Sequence, residues 1–371
     1  MAAYPIHLRE TLMINLESQS PTDSDDLKLI WETFQTVNPK IRIRDAAYQL
    51  GVSEAELLAT SCGQEATRLQ GKWVQFIKRL TELGPLMALT RNDNAVSEIQ
   101  GTYRNIGFRG DIGIVRDLGG IDLRLFMTQW HAGFAVESRG HRGSLCSFQF
   151  FDNHGTAVHK IYLTENSDKK SYDRLVNEYA STNQGTHQHI TPTPSIAPEC
   201  SDPTIDVAGL QAAWNSLQDT HDFNKLLQYF NVGRVQALRL VDDELAYRVR
   251  CSALNELLHM VAQYNTPIMV FVGNHGAIQI HSGPVFTIKA TGSWINVLDN
   301  SFNLHVREDQ IASAWIVRKP TVDGIVSSLE LYDKYGETIA LLYAKRKEGF
   351  RVLESWQSAL SALLPETRPS K

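Results

Sequence analysis

The chain has 371 residues, of which 43% are hydrophobic and 21% charged, with a formal net charge of −5. That length and mixture suit a soluble globular protein large enough for two domains with sizeable cores. The charge lacks the basic bias of a nucleic-acid-binding domain and no apolar run reaches membrane-helix length, so neither a nucleic-acid partner nor stable membrane insertion is expected.

Residues 1–24 read as an arm ending in SQSPTDSDD. Arg9, Glu10 and Glu17 interrupt the apolar core that a signal peptide needs, so export is not expected. The four cysteines (Cys62, Cys146, Cys200 and Cys251) are far apart and form no CxxC, which suits a reducing cytoplasm and gives no zinc spacing. The first helix should be capped by Asp25 or Asp26 and run through Ile30, Trp31 and Phe34. IRIRDAAYQLGVSEAELLAT then reads as two short helices around Gly51, with Ser53 and Glu56 forming a capping box. The pair has a helix-turn-helix outline. Its acids nearly balance its bases, however, and VGRVQALRLVDDELAYRV repeats the shape later in the chain, which favours a structural reading.

From Met87 to Leu163 the pattern changes to strands, with period-2 alternation in GIDLRLF and SFQFF and a turn at Asp152–Gly155. A helix over Ser171–Tyr179 precedes a proline- and threonine-rich linker at 182–203. Helices follow from Asp206 to about Met260, then strands from Ile268 to Tyr343, and a last helix near Glu354–Leu364. Helices followed by a run of strands predict an α+β fold with antiparallel sheets.

Part of the chain occurs twice. Leu123–Tyr162 align without a gap with Leu304–Tyr343, matching Gln129 to Gln310, Val136 to Val317, Ser147 to Ser328, Asp152 to Asp333 and Gly155 to Gly336. Upstream, Ala95, Val96 and Gly101 match Ala277, Ile278 and Gly283 after a one-residue shift. A repeat of this length predicts two copies of one domain, residues 25–181 and 204–371, joined by the linker. Residues on which the copies agree serve the fold, and chemical differences mark an acquired job.

Twelve histidines are the first candidates for chemistry. His187 and His189 form a spaced pair in the linker, a weak metal motif. His154, His159 and His275 fall at or near turns and read as surface residues, while His131 and His141 flank strands and lack histidine mates. There is no HExxH, P-loop, GxSxG or GxGxxG, so the chemistries those motifs serve have no support. His221 opens DTHDFNKLLQYF, capped by Asp219 or Thr220, and lies opposite the apolar stripe of Phe223, Leu226, Leu227 and Phe230. It is either a surface histidine or a ligand presented to a second surface. Arg124 shares a strand face with Asp122 and Phe126, and its repeat mate is His305, so the fold does not require it. It is either a solvent-facing arginine or part of a site.

The blocks IDLRLF, FQFFDNHGTAVHKIYLT, DTHDF, LVDDELAYRV, IMVFVGNHGAIQIHSG, WINV and WIVRKPTVDGIVSSLELYD resemble the bacterial hemin-degrading and hemin-transport factor family over nearly the whole chain after the arm. Members are cytoplasmic heme proteins encoded with heme-uptake transporters. The resemblance implies a tandem structural repeat, each half a large antiparallel sheet with flanking helices, and one heme (iron protoporphyrin) between the halves. It implies His221 as the proximal iron ligand, Arg124 over the distal face, and Arg234, Lys319, Tyr343 and Arg346 on the propionates. Leu341 stands where some relatives carry glutamine. The implied function is a cytoplasmic protein that receives imported heme and supports its oxidative degradation with iron release, His221 and Arg124 acting catalytically. The alternative is a non-catalytic carrier that delivers heme to a separate heme oxygenase or to apoproteins. The implied partners are the heme-import ABC transporter and a heme oxygenase or electron donor. The chemistry is consistent: neutral imidazole binds iron, arginine stays charged and suits a bound oxygen species or water, and cations offset propionates. Phe126, Phe223 and the tryptophans are candidate walls for the macrocycle.

Overall fold

The computed structural model describes residues 24–117, 119–140, 143–194, 199–345 and 354–365. Arg346, His141 and the arm up to residue 23 lie outside the described residues. Eighteen strands are present among the described residues. In chain order they are β1 (Ala66–Arg68), β2 (Leu86–Arg91), β3 (Ala95–Gly101), β4 (Gly107–Arg109), β5 (Ile112–Arg116), β6 (Asp122–Phe126), β7 (Ala132–Gly140), β8 (Gly143–Phe151) and β9 (Ala157–Leu163). The second series is β10 (Ala246–Val249), β11 (Ile268–Gly273), β12 (Ala277–Gly283), β13 (Ile288–Thr291), β14 (Trp294–Leu298), β15 (Phe302–Arg307), β16 (Ser313–Lys319), β17 (Val326–Tyr332) and β18 (Thr338–Ala344).

The chain forms two compact units. The first contains residues up to Leu83 together with Met127–Pro194. Its strands run in the order β1-β7-β8-β9 with antiparallel pairing. The first helix, Ser24–Val37, starts a residue or two before the expected cap. Its Leu27 and Trp31 pack against Ala46, Ala47, Leu50 and Leu57 of the two short helices Ile43–Leu50 and Glu54–Ala59. Gly51 ends the first of these at φ +69°, and the Ser53–Glu56 capping box starts the second. The helix-turn-helix outline is thus an apolar packing unit. The linker is tied down in this unit: Gln184 Oε1 accepts from the backbone N–H of Arg68 at 2.9 Å, and the carbonyl of His187 accepts from the Arg68 guanidinium at 2.9 Å.

The second unit contains Gly84–Phe126 and the chain from Ser195 onward. It holds a nine-stranded sheet, β10-β16-β17-β18-β11-β12-β6-β5-β4, and the strand series β2-β3-β15-β14-β13. Every pairing within both is antiparallel. Helices Val207–Asn215, Phe223–Tyr229 and Arg234–Leu240 build one core with Trp315, Val317 and Tyr332 of the nine-stranded sheet. The last helix, Glu354–Ala362, begins where the sequence places it and ends two residues early.

The duplication is visible in the register. Val136 faces Ser147 and Ser147 faces Tyr162, as Val317 faces Ser328 and Ser328 faces Tyr343. A bulge follows at Phe150/Phe151 in one copy and at Leu331/Tyr332 in the other. The matched turns agree as well. Asp152 Oδ1 accepts from two backbone N–H groups ahead of Gly155 (φ +75°) and just after it, and Asp333 does the same around Gly336 (φ +79°).

The units do not coincide with the two repeats, because three-stranded segments are exchanged. β6 of the first copy pairs with β12 of the second, and β15 of the second pairs with β3 of the first. This exchange groups Gly84–Phe126 with the second copy. Gln279 fixes the join from the buried side of β12: its amide donates to the Ala88 and Ser97 carbonyls at 3.1 and 2.8 Å.

Candidate functional site

His221 lies in the 3₁₀ turn Thr220–Asp222 immediately before the helix Phe223–Tyr229. Phe223, Leu226 and Leu227 are buried, so the helix is held by its far side and the His221 side chain is 90% exposed. Asp219 caps the turn. Its Oδ1 accepts from the His221 backbone N–H at 2.9 Å and lies 2.6 Å from Nδ1. These bonds hold the Asp219 carboxyl below its usual range. An ionised carboxylate only accepts, so Nδ1 carries a proton, and in the neutral ring Nε2 is the nitrogen with the lone pair.

Behind this turn lies a buried charge cluster. Glu330 on β17 is fully buried. It accepts from Arg234 Nε at 3.1 Å and Nη2 at 2.9 Å, from Lys319 Nζ at 2.6 Å, from Ser328 Oγ at 3.0 Å and from the Tyr332 hydroxyl. The Tyr343 hydroxyl is 3.5 Å away. Burial opposes ionisation of Glu330, but the charges of Arg234 and Lys319 outweigh it and hold the carboxyl well below its ordinary range. Burial likewise works against the charge on Arg234, and Glu330 more than restores it. Burial and the neighbouring carboxylate push the Tyr332 phenol well up.

Phe223 joins the cluster to the His221 turn. Its ring lies 5.0 Å from the Arg234 guanidinium carbon, 4.6 Å from Lys319 Nζ, and 4.4 Å from the Trp214 ring.

Arg124 lies on β6, ion-paired with Asp122 on the same strand face, as the alternation predicted. Cross-strand partners share a face, so the register traces one surface. Arg124 pairs with Ile278, Ile280 with Phe271, Met269 with Tyr343, and Leu341 with Glu330. Arg124 and Tyr343 therefore stand on the same face, separated by three strand steps or about 14 Å across the sheet and by four residues or about 13 Å along it. Half-buried Phe126, Ile278, Met269, Phe271 and Leu341 make this face apolar. Ile112 and Ile114 extend it beyond Arg124 and are 52% and 40% exposed. The covering helices pack at the other end, on Trp315, Val317 and Tyr332.

The five expected site residues that are described all belong to the second unit, and Arg234, Lys319 and Tyr343 meet at one carboxylate. The sequence reading missed Glu330. Its signal was a lone acid inside the alternating strand SSLELY, aligned with Gln149 of the first copy. Of the proposed walls, Phe126 lines the open face, whereas Phe223 and Trp214 are buried in the core. The surface reading of His159 is wrong: it is 1% exposed on β9, and burial pushes its pKa down to about 3. His187 and His189 are exposed in the first unit.

An α+β chain of two matched copies, with an imidazole, a charge cluster and an apolar sheet face gathered in one unit, defines a distinct class of protein. Residues 51–179 and 231–363 both match the profile of the haemin-degrading HemS.ChuX domain, and the chain belongs to this family. It is 38% identical over 321 residues to the hemin transport protein HmuS of Yersinia pestis, covering 86% of this chain and 92% of that protein. The crystal structure of holo-PhuS, a heme-binding protein from Pseudomonas aeruginosa, matches with a TM-score of 0.90 at 40% identity, over 93% of this chain and all of that one. The structure of ChuS, an E. coli heme oxygenase, matches at 0.80 and 35% identity, over 89% of this chain and 98% of that one.

Proposed function

We propose that this protein is a cytoplasmic heme-binding protein that takes imported heme onto the apolar face of the second unit and supports its oxidative opening with release of iron. The shared face carries the reading. One sheet surface presents an arginine, an apolar floor and a cluster with more cations than carboxylates, and an exposed imidazole with Nε2 available lies next to that cluster. Iron protoporphyrin needs each of these: a nitrogen ligand, an apolar bed and cations for its propionates. His221 binds the iron, and Arg124 donates hydrogen bonds to whatever occupies the opposite iron position. Arg234, Lys319 and Tyr343 hold the propionate edge, with Arg346 as a fourth member. The importer supplies the heme, and a cellular reductant with oxygen or peroxide supports the reaction.

Titration of the apoprotein with hemin tests the binding step, and a spectrum equal to free hemin in buffer rejects it. The enzymatic step is tested by adding a reductant in the presence of catalase: loss of the Soret band with an open tetrapyrrole product is expected, and intact porphyrin rejects it.

A carrier role is the second reading, favoured by relatives named hemin transport proteins at 38% identity. In that case a heme oxygenase or an apoprotein would accelerate heme loss in stopped-flow transfer, and the porphyrin would survive the reductant.

A further inference from the structure

The first copy of the duplication carries a different solution at the position of the charge cluster. Gln149 faces Phe134 there, as Glu330 faces Trp315. Gln149 bonds Ser147 at 3.1 Å, as Glu330 bonds Ser328 at 3.0 Å, so the neutral and the charged side chain occupy matched places. By the same alignment Ser138 stands for Lys319 and Phe151 for Tyr332. The capping turns align Glu54 with Arg234, since Glu56 and Gln236 close on the N–H groups of Ser53 and Gly233. In the first copy Glu54 pairs with Lys160, the mate of Leu341, and the two side chains are 5% and 8% exposed. That pair joins one cation to one carboxylate. In the second copy two cations share one carboxylate, and Arg234 keeps 19% exposure.

We propose that Glu330 is the positioning residue for carboxylate recognition: it presets Arg234 and Lys319 as a cation pair with one positive charge to spare, and so confines propionate binding to the second copy. The inference rests on the heme reading above and specifies how the site recognises the porphyrin edge. An ammonium as buried as that of Lys319 (2% exposed) is strongly disfavoured without a counter-ion, and Glu330 supplies it at 2.6 Å. Both oxygens of Glu330 are occupied: Oε1 by Lys319 and Ser328, Oε2 by Arg234 and Tyr332. Its negative charge is therefore spent inward. The Arg234 fork is gripped by Glu330 through Nε and Nη2, while Nη1 donates to Asn224 Oδ1 at 3.1 Å. A preset cation of this kind binds an arriving carboxylate without a reorganisation cost.

The test compares hemin with iron protoporphyrin dimethyl ester, which lacks the propionate charges, on the full chain. The wild type should prefer hemin. Glu330→Gln should weaken hemin roughly tenfold and leave the ester within about twofold. Glu330→Asp should recover part of the preference. A double variant, Lys319→Ser with Glu330→Gln, copies the first repeat's neutral residues. It guards against misfolding caused by an unpaired lysine and should show the same lost preference. Hemin binding to Glu330→Gln as tight as or tighter than wild type would overturn the proposal, because Glu330 would then compete with propionates. Equal weakening of both ligands would also overturn it, by reducing Glu330 to a support of the fold. Failure of the heme reading looks different: the wild type itself would bind neither porphyrin with a shifted spectrum.

Discussion

A single oxygen of Asp219 fixes both the backbone and the ring of His221, at 2.9 Å from the amide nitrogen and 2.6 Å from Nδ1. The turn and the tautomer are thus set by one contact. Asp219→Asn keeps an acceptor for the backbone N–H but removes the charge facing the ring. With hemin bound, we expect a lower Fe–His stretching frequency in the ferrous resonance Raman spectrum, a higher reduction potential and up to roughly tenfold weaker binding. Unchanged Raman and potential would show that Asp219 serves only the turn.

Removing the imidazole should have a larger effect. His221→Ala should shift the Soret band and weaken hemin binding by roughly a hundredfold, whereas His187→Ala and His189→Ala should alter neither. Absorbance titration of the three variants decides the point, and a larger effect from the linker pair would reassign the ligand.

Arg124 is tethered to Asp122 rather than to the charge cluster. Arg124→Ala should therefore spare hemin affinity more than His221→Ala does. It should change the ferric spectrum through the sixth iron position and slow any porphyrin opening by roughly tenfold or more. Equal losses of affinity in the two variants would place Arg124 in binding instead.

His281 gives a pH prediction. Burial pushes its pKa down to about 4, its ring stacks on Phe302 at 3.7 Å, and Nε2 has no hydrogen-bond partner among the described residues. In the unfolded chain the ring takes up a proton near its ordinary value of about 6.5. Between that value and about 4 the unfolded state binds more protons, so stability falls as pH falls, and below about 4 this contribution levels off. His281→Phe should flatten the fall in denaturant midpoint over this window. An unchanged slope would assign the acid sensitivity to other groups, His159 first.

Much of the architecture could be read from residue order because the two copies calibrate each other. Matched Asp–Gly turns and matched alternation located β7–β9 and β16–β18. β1 and β10 were not foreseen, since three or four residues carry too little alternation to stand out from flanking helices. At the site, the 3.6-residue period isolated His221 and the 2-residue period set Arg124 beside Asp122 and Phe126. The roles of Lys319, Arg234 and Tyr343 came from the resemblance alone. Glu330 and the floor of Met269, Phe271 and Ile278 were hidden for a topological reason. Which residues share a surface depends on β6 joining β12, and local periodicity carries no record of a partner so distant in sequence.

The exchanged segments also bear on how the chain is born. Arg124 leaves the ribosome well before its neighbour Ile278, and at about 5–20 residues per second the delay is on the order of ten seconds. Throughout that interval the edges of β3 and β6 stand bare, each an invitation to pair with another nascent copy. A fragment ending after the first repeat would keep those edges open permanently. Such a half should be recovered as aggregate or as an intermolecular dimer, and folding of the whole molecule is concluded only after β15 has been made.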